Sequence, residues 1–390
     1  MILGAGVMQV PLIRKVKDLG HKAIVVGVAG PYPGIPLADT VCLHDFTDSS
    51  EVLRIARREH IDGICTCGMD LPIRTLAVVS ESLGLPGIPS EAGMIVTDKL
   101  LMKGRLLGHG ARTARYLEAA TLEDGYRAFD ELGAPVMFKA SDSQGSRGIV
   151  KVDARDRVEY AYKTVREATK QNHYIVEAFI EGREFGAQAF ALNGKLQFVM
   201  PHGDYVFQGD TGVPLGHYVP LDLDADLLGD CVRQVEHCVE AAGLRTCAIN
   251  ADFILRDGEV FVLEFGARCG ATMLPETVSI FYGFDYYEQM VRACLGETAD
   301  FSSRTGGTPN ASMTLFSETS GVVRAVRNDN PPDPDIVEIR FDRPVGARVN
   351  KFRLGIDRIG HVIVKGKTLE DVKNRLDSTL SRIKIIVDAV

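Results

Sequence analysis

Asn250-Ala251-Asp252-Phe253-Ile254-Leu255-Arg256-Asp257-Gly258-Glu259-Val260-Phe261-Val262-Leu263-Glu264-Phe265-Gly266-Ala267-Arg268 reads as a hairpin that carries acids on a β-rich frame. Two apolar runs flank Arg256-Asp257-Gly258, a turn signal. If those three residues form the loop, with Gly258 left-handed, Asp252 pairs with Val262 and Glu264 lies one step diagonally away on the same face. A two-residue turn at Asp257-Gly258 puts Asp252 and Glu264 on opposite faces, unless a bulge restores the register. Glu264 sits between Leu263 and Phe265, and an unpaired carboxylate among apolar side chains is costly, so it needs a cation or hydrogen-bond donors. Mg2+ shared with Asp252 meets that need, because this ion bridges carboxylates and nucleotide phosphates. An ion pair from Glu264 to Arg268 is the competing structural reading.

Upstream, Phe138-Lys139-Ala140-Ser141-Asp142-Ser143-Gln144-Gly145-Ser146-Arg147-Gly148 places a lysine at a strand end, followed by a loop of small residues. Such a loop can turn several backbone N–H groups toward one anion, with Lys139 and Arg147 adding charge where phosphate oxygens would sit. A flexible hairpin with solvated charges is the plainer alternative. The run Tyr174-Ile175-Val176-Glu177-Ala178-Phe179-Ile180-Glu181-Gly182-Arg183-Glu184 pairs an apolar strand with a turn. Its main chain can meet an adenine edge, and Glu184 can accept from ribose hydroxyls. Lys99 lies on a helix, where an exposed lysine on the helix face is the ordinary reading.

The surrounding chain is a plausible frame for such a site. In 390 residues, 44 basic side chains face 52 acidic ones, and a net charge of −8 argues against nucleic acid as the main partner. No apolar run approaches the roughly 18 residues that span a bilayer, and the first residues enter a strand with no charged leader, so a cytoplasmic protein without membrane contact is expected. Eight cysteines lie scattered in apolar segments and read as buried free thiols.

The first third alternates strands at 1–3, 22–28 and 63–67 with helices at 10–19, 52–59 and 71–83, the pattern of a parallel sheet. Pro86-Gly87-Ile88-Pro89 marks a domain edge, followed by one helix from Glu91 to Leu107. An α+β module follows. The expected domains are 1–90, 91–303 and 304–390. Gly4-Ala5-Gly6-Val7-Met8-Gln9 begins like a dinucleotide fingerprint, but Gln9 stands at the third glycine position and no acid ends the second strand. A nicotinamide enzyme is therefore a poor reading.

Taken in order, Lys99, Lys139, the loop from Gly145 to Gly148, Glu177 to Ile180, Glu184, Asp252, Glu264 and Arg268 resemble the ATP-grasp superfamily over nearly the whole chain. The branch it looks like holds D-alanine–D-alanine ligase, biotin carboxylase, the purine-pathway ligases and the L-amino acid ligases. Asp357-Arg358-Ile359-Gly360-His361-Val362-Ile363-Val364-Lys365-Gly366 is similar to the C-terminal lobe of the carboxylase and purine-ligase group. The resemblance implies three lobes: an N-terminal parallel α/β lobe, a central ATP-grasp module and a small C-terminal α+β lobe.

It also implies that Lys99 and Lys139 contact nucleotide phosphates and that Ser143, Gly145, Ser146 and Gly148 belong to the loop that closes over them. Glu177, Phe179, Ile180 and Leu263 would then frame the base, Glu184 take the ribose, Asp252 and Glu264 hold Mg2+ or Mn2+, and Arg268 face the substrate carboxylate or acyl phosphate. The family often carries Asn two residues after the second metal carboxylate, where this chain has Gly266, which implies fewer protein ligands for a second ion.

The expected activity is ATP-dependent joining of a small carboxylate to an amine through an acyl phosphate, with a homodimer among the expected assemblies. Positioning and charge neutralisation do most of such chemistry, with Lys139 and Arg268 nearest the reacting groups. A ligase using formate or bicarbonate is the alternative within the fold, and a non-catalytic ATP-binding module the alternative outside it. Pro201 to Gly212 reads either as a glycine-rich substrate cover, with His202, Tyr205 or His217 touching acid or amine, or as a surface loop.

Overall fold

Short apolar runs near the N-terminus build a parallel sheet from β1 (Ile2–Leu3), β2 (Ile24–Gly27) and β3 (Thr40–Leu43), which pair in chain order. Ile2, Leu3, Val25 and Val26 are fully buried, as continuous apolar strands covered on both faces require. This computed structural model describes residues 1–143, 147–209 and 212–389. Of two compact units, the first comprises Met1–Val199, Leu223–Cys269 and Tyr287–Asp300, and the second Met200–Asp222, Gly270–Tyr286 and Phe301–Val390.

In the first unit, α1 (Val10–Asp18), α2 (Ser49–Arg58) and α3 (Ile73–Leu83) accompany the parallel sheet. Asp48 caps α2 by accepting from the backbone N–H groups of Ser50 and Glu51. The strand expected at 63–67 shrinks to a single bridge from Ile2 to Cys65, and beyond it the Cys67 carbonyl accepts from the Gln9 side chain instead of a strand partner. The single helix expected from Glu91 to Leu107 is instead two, α4 (Ser90–Ile95) and α5 (Lys99–Gly108). Asp98 is extended and caps α5 by accepting from Leu100 and Leu101, so the new helix starts at Lys99.

Beyond α5, β4 (Tyr116–Ala119), α6 (Leu122–Leu132), β5 (Val136–Ala140), β6 (Ile149–Val152), α7 (Val158–Ala168) and β7 (Tyr174–Ala178) form an antiparallel sheet of order β4-β7-β5-β6 with two helices. Phe129, Phe138, Val158, Val165 and Tyr174 share its buried core. β8 (Arg183–Leu192), β11 (Cys247–Arg256) and β12 (Glu259–Gly266) pair antiparallel, with α8 (Ala225–Ala242) against β12. α10 (Tyr286–Cys294) supplies most of the remaining segment.

The second unit takes the end of β9 (Lys195–Val206), which pairs with β10 (Pro214–Val219); β10 pairs in turn with β13 (Asn310–Leu315), β13 with β17 (Gly360–Lys365) and β17 with β15 (Ile336–Phe341). β14 (Gly321–Asn328) lies between β16 (Arg348–Val349) and β18 (Ile383–Ala389). α9 (Leu274–Tyr282) packs on β10 and β13, and α11 (Leu369–Ser381) buries Val372 and Leu376 with Ala311, Val362 and Val364. Pro201 to Val206, read from sequence as part of a loop, is strand: its residues extend the ladder against β10. Asp210 and Thr211 lie outside the described residues.

Candidate functional site

The hairpin of β11 and β12 turns through two residues, not three. Asp257 and Gly258 both have positive φ, 50° and 78°, and Arg256 pairs with Glu259 across them. Two left-handed residues match the strand twist that a two-residue hairpin needs, and Gly258 adopts that conformation without steric cost. Phe253 then pairs with Val262, but the register shifts at the next step, and Asp252 pairs directly with Glu264. Leu263 is the extra residue of a β-bulge that brings both carboxylates to one face. The three-residue loop and the diagonal arrangement are thus replaced by a tighter turn and a directly opposed pair.

The same face carries the apolar part of the site. Ile254 pairs with Glu184 on one side and with Phe261 on the other. Ile254 also packs with Ile180, Ala114, Phe261 and Leu263. Glu184 is exposed, on the same face as that cluster. Phe179 packs its ring beneath the Lys151 ammonium, 3.6 Å from the ring centre.

Basic groups converge on the acids. Lys99, the first residue of α5, places Nζ 3.1 Å from Glu264 Oε2 and donates to the Ser143 carbonyl at 3.0 Å. The Lys99 ammonium, ahead of the opposing cost of burial, holds the Glu264 carboxyl down at about 2. Lys99 in turn is raised: burial opposes its charge, but Glu264 outweighs it. Lys139, at the end of β5, donates to Glu177 Oε2 at 2.8 Å, and the buried Lys103 lies 3.4 Å from the same oxygen. Burial pushes Lys103 down to about 8 despite Glu177. The Glu177 carboxyl is lowered, because Lys103 and Lys139 overcome a larger desolvation cost. Glu177 therefore holds both lysines through Oε2, while its Oε1 is buried without a hydrogen-bond partner.

Arg268 does not pair with Glu264. Its Nε and Nη2 donate to the two oxygens of Asp70 at 2.7 and 2.8 Å, a two-pronged contact that fixes the guanidinium plane. Gly266 makes this possible, since a Cβ there would lie 2.8 Å from Asp70 Oδ1. Asn250, the cross-strand partner of Gly266, accepts from Gln188 at 2.7 Å. Asp70, Lys99, Asp142, Ser143, Asn250, Asp252, Glu264 and Arg268 line one cleft. Ser143 and Gly148 lie on either side of the loop expected to close over phosphates, whereas Gly145 and Ser146 lie outside the described residues.

Three residues of this constellation escape a reading of the sequence. Asp70 comes from a loop of the N-terminal lobe, and nothing local to it signals a partner so far along the chain. Lys103 follows Lys99 by one helical turn, and Asn250 precedes Asp252 by one strand alternation, so spacing alone could have found both. His202 and His217, offered as substrate contacts, are buried and turn to Asp204. Among the described residues, no helix is long and apolar enough to cross a membrane.

The acid pair suits Mg2+: both carboxylates offer hard oxygen ligands, they oppose each other directly, and Glu264 already draws positive charge around it, from Lys99 at 3.1 Å and more distantly from Lys139 and Arg268. A lysine-backed strand, a loop at its end and paired acids on a hairpin define an ATP-grasp fold, and the chain belongs to the ATP-grasp family of carboxylate–amine ligases. Residues 132–276 match the ATP-grasp domain, and residues 313–388 match the L-amino acid ligase C-terminal domain 2.

Among its relatives, a phosphoribosylglycinamide synthetase from Anaerococcus prevotii is 34% identical, with a TM-score of 0.87 over 99% of this chain and 98% of that one. The L-amino acid ligase from Bacillus licheniformis shares the fold with a TM-score of 0.84 at 19% identity, over 99% of this chain and 98% of that one. Alanine–anticapsin ligase of Bacillus subtilis is 25% identical over 273 residues, 64% of this chain. That match spans 57% of the ligase's own length.

Proposed function

We propose that this protein joins a small carboxylate to an amine at the expense of ATP. A carboxylate oxygen attacks the terminal phosphoryl group, giving an acyl phosphate and ADP. The amine then attacks the carbonyl carbon, inorganic phosphate leaves with the bonding electrons, and the nitrogen gives up a proton. Activation is needed because oxide is otherwise the leaving group.

In this reading Lys99 and Lys139 bind nucleotide phosphates beneath the loop from Ser143 to Gly148, including Gly145 and Ser146. Ile180, Leu263 and Phe179 frame the base together with the main chain at Glu177, and Glu184 takes the ribose. Asp252 and Glu264 hold Mg2+, which when bound neutralises phosphate charge. Arg268, oriented by Asp70, faces the acid and the acyl phosphate made from it. These side chains act by position and charge, and no covalent nucleophile is required.

The observation that carries the proposal is the directly opposed pair of Asp252 and Glu264 beside Lys99. Phosphate release is to be measured with Mg-ATP across amino acids, small acids and amines, for the wild type and Glu264→Ala. Release that needs both an acid and Mg2+, and falls at least ~100-fold in the variant, is expected. Equal turnover in the two proteins would refute the assignment.

The 34% identity to a phosphoribosylglycinamide synthetase over nearly the full chain favours a second reading, in which the amine belongs to a phosphoribosylated compound. The match to the L-amino acid ligase C-terminal domain favours amino acids as both partners. Including phosphoribosylamine with glycine, and formate or bicarbonate, in the same screen separates these substrates.

A further inference from the structure

β9 and β10 bring two histidines and an aspartate to one point of the second unit. His202 and Asp204 are two residues apart on β9 and so share a face, and Asp204 is the cross-strand partner of His217 on β10. Nδ1 of His217 lies 2.6 Å, and Nδ1 of His202 2.9 Å, from the same oxygen, Oδ1, of Asp204. The two rings meet edge to face with centroids 5.0 Å apart. His202 and His217 are 2% and 3% exposed, while the Asp204 side chain is 24% exposed.

Such a cluster is costly to bury without compensation. Among the described residues, the only ion-pair partners of Asp204 are these two histidines, and no lysine or arginine neutralises it. Nε2 of His217 is buried and has no hydrogen-bond partner. The aspartate therefore holds its charge against two imidazoles, one of which is only half satisfied by protein.

We propose that His202, Asp204 and His217 bind a divalent transition-metal ion of the Zn2+ class, at a site separate from the Mg2+ pair. Their ligand atoms all lie within 4.8 Å of one another. Two imidazole nitrogens and one carboxylate oxygen suit Zn2+, whereas Mg2+ and Ca2+ favour oxygen alone. Each imidazole moves its proton from Nδ1 to Nε2 and presents a lone pair to the ion, so neither ring needs to release a proton. Three ligands leave a further position for solvent or another donor, and the exposed flank of Asp204 gives the ion a way in. The strands bring the three side chains together before the ion arrives, and the two hydrogen bonds to Asp204 open as it enters.

The test uses the full chain, stripped with a chelator and dialysed against Zn2+, with metal counted per chain by atomic emission. About one Zn2+ is expected in the wild type and in Glu264→Gln, and none in His217→Ala or Asp204→Asn. Circular dichroism confirms that each variant is folded, and either one suffices. Co2+ added to the stripped wild type provides a readout that needs no variant: intense visible bands are expected from a nitrogen-bearing site of low coordination number. The proposal is overturned if the wild type keeps no zinc, if folded His217→Ala and Asp204→Asn keep it, if Glu264→Gln loses it, or if cobalt gives only the weak bands of an octahedral oxygen site.

Discussion

Asp70 and Arg268 meet through two short hydrogen bonds, so the guanidinium has one orientation rather than many. Asp70→Asn keeps the size of the side chain but removes the charge and one acceptor. Loss of kcat/KM for the acid on the order of 10–100-fold is expected, with KM for ATP little changed. Equal losses for acid and nucleotide would show a general disturbance instead. Lys103 offers a second test at this scale. Its folded value near 8 lies below that of an unfolded lysine, so between those values the unfolded chain binds more protons and stability rises with pH. Urea unfolding at pH 8 and pH 10 is expected to show the wild type gaining on Lys103→Met by at most about 3 kcal/mol. An identical pH dependence in the two proteins would contradict this.

The hairpin of β11 and β12 shows how an element sets the placement of two acids. Leu263 is the surplus residue of the bulge, and it packs against Ile180 and Ala114. Its deletion leaves Glu264 next after Val262, where a regular ladder still places it opposite Asp252. The deletion is expected to raise KM for ATP several-fold while Mg2+-dependent turnover at saturation persists; loss of turnover even at saturating Mg-ATP would show that the bulge itself aligns the acids. Sequence identified this hairpin and its acids, because alternation and turn residues are local signals. Its register is not legible locally, since one added residue inverts every side chain and both the turn length and the bulge at Leu263 enter into it. The helix break at Asp98 is hidden for a related reason: no Gly or Pro marks 96–98, and the cap becomes visible in the bonds from Leu100 and Leu101.

Across the whole chain, the order of lysines, loop and acids was readable because each lies on an element with its own pattern. The partner of Arg268 was not. Asp70 follows Cys67-Gly68-Met69 in a loop whose composition says nothing of a guanidinium. The strand from Pro201 to Val206 was hidden by its proline and glycine, although pairing to β10 makes it continuous. At this scale, chelation with EDTA is expected to abolish acid-dependent phosphate release and added Mg2+ to restore it. Turnover that survives chelation would remove the role assigned to Asp252 and Glu264.

The bare backbone at Gly266 also bears on how this lineage can change. A methyl group there presses on the Asp70 carboxylate, so a side chain at 266 is accommodated only if that carboxylate shifts and its two-pronged grip on Arg268 is disturbed. In an alignment of homologues the two columns should substitute together: chains with a side chain at 266 should lack the acid at 70.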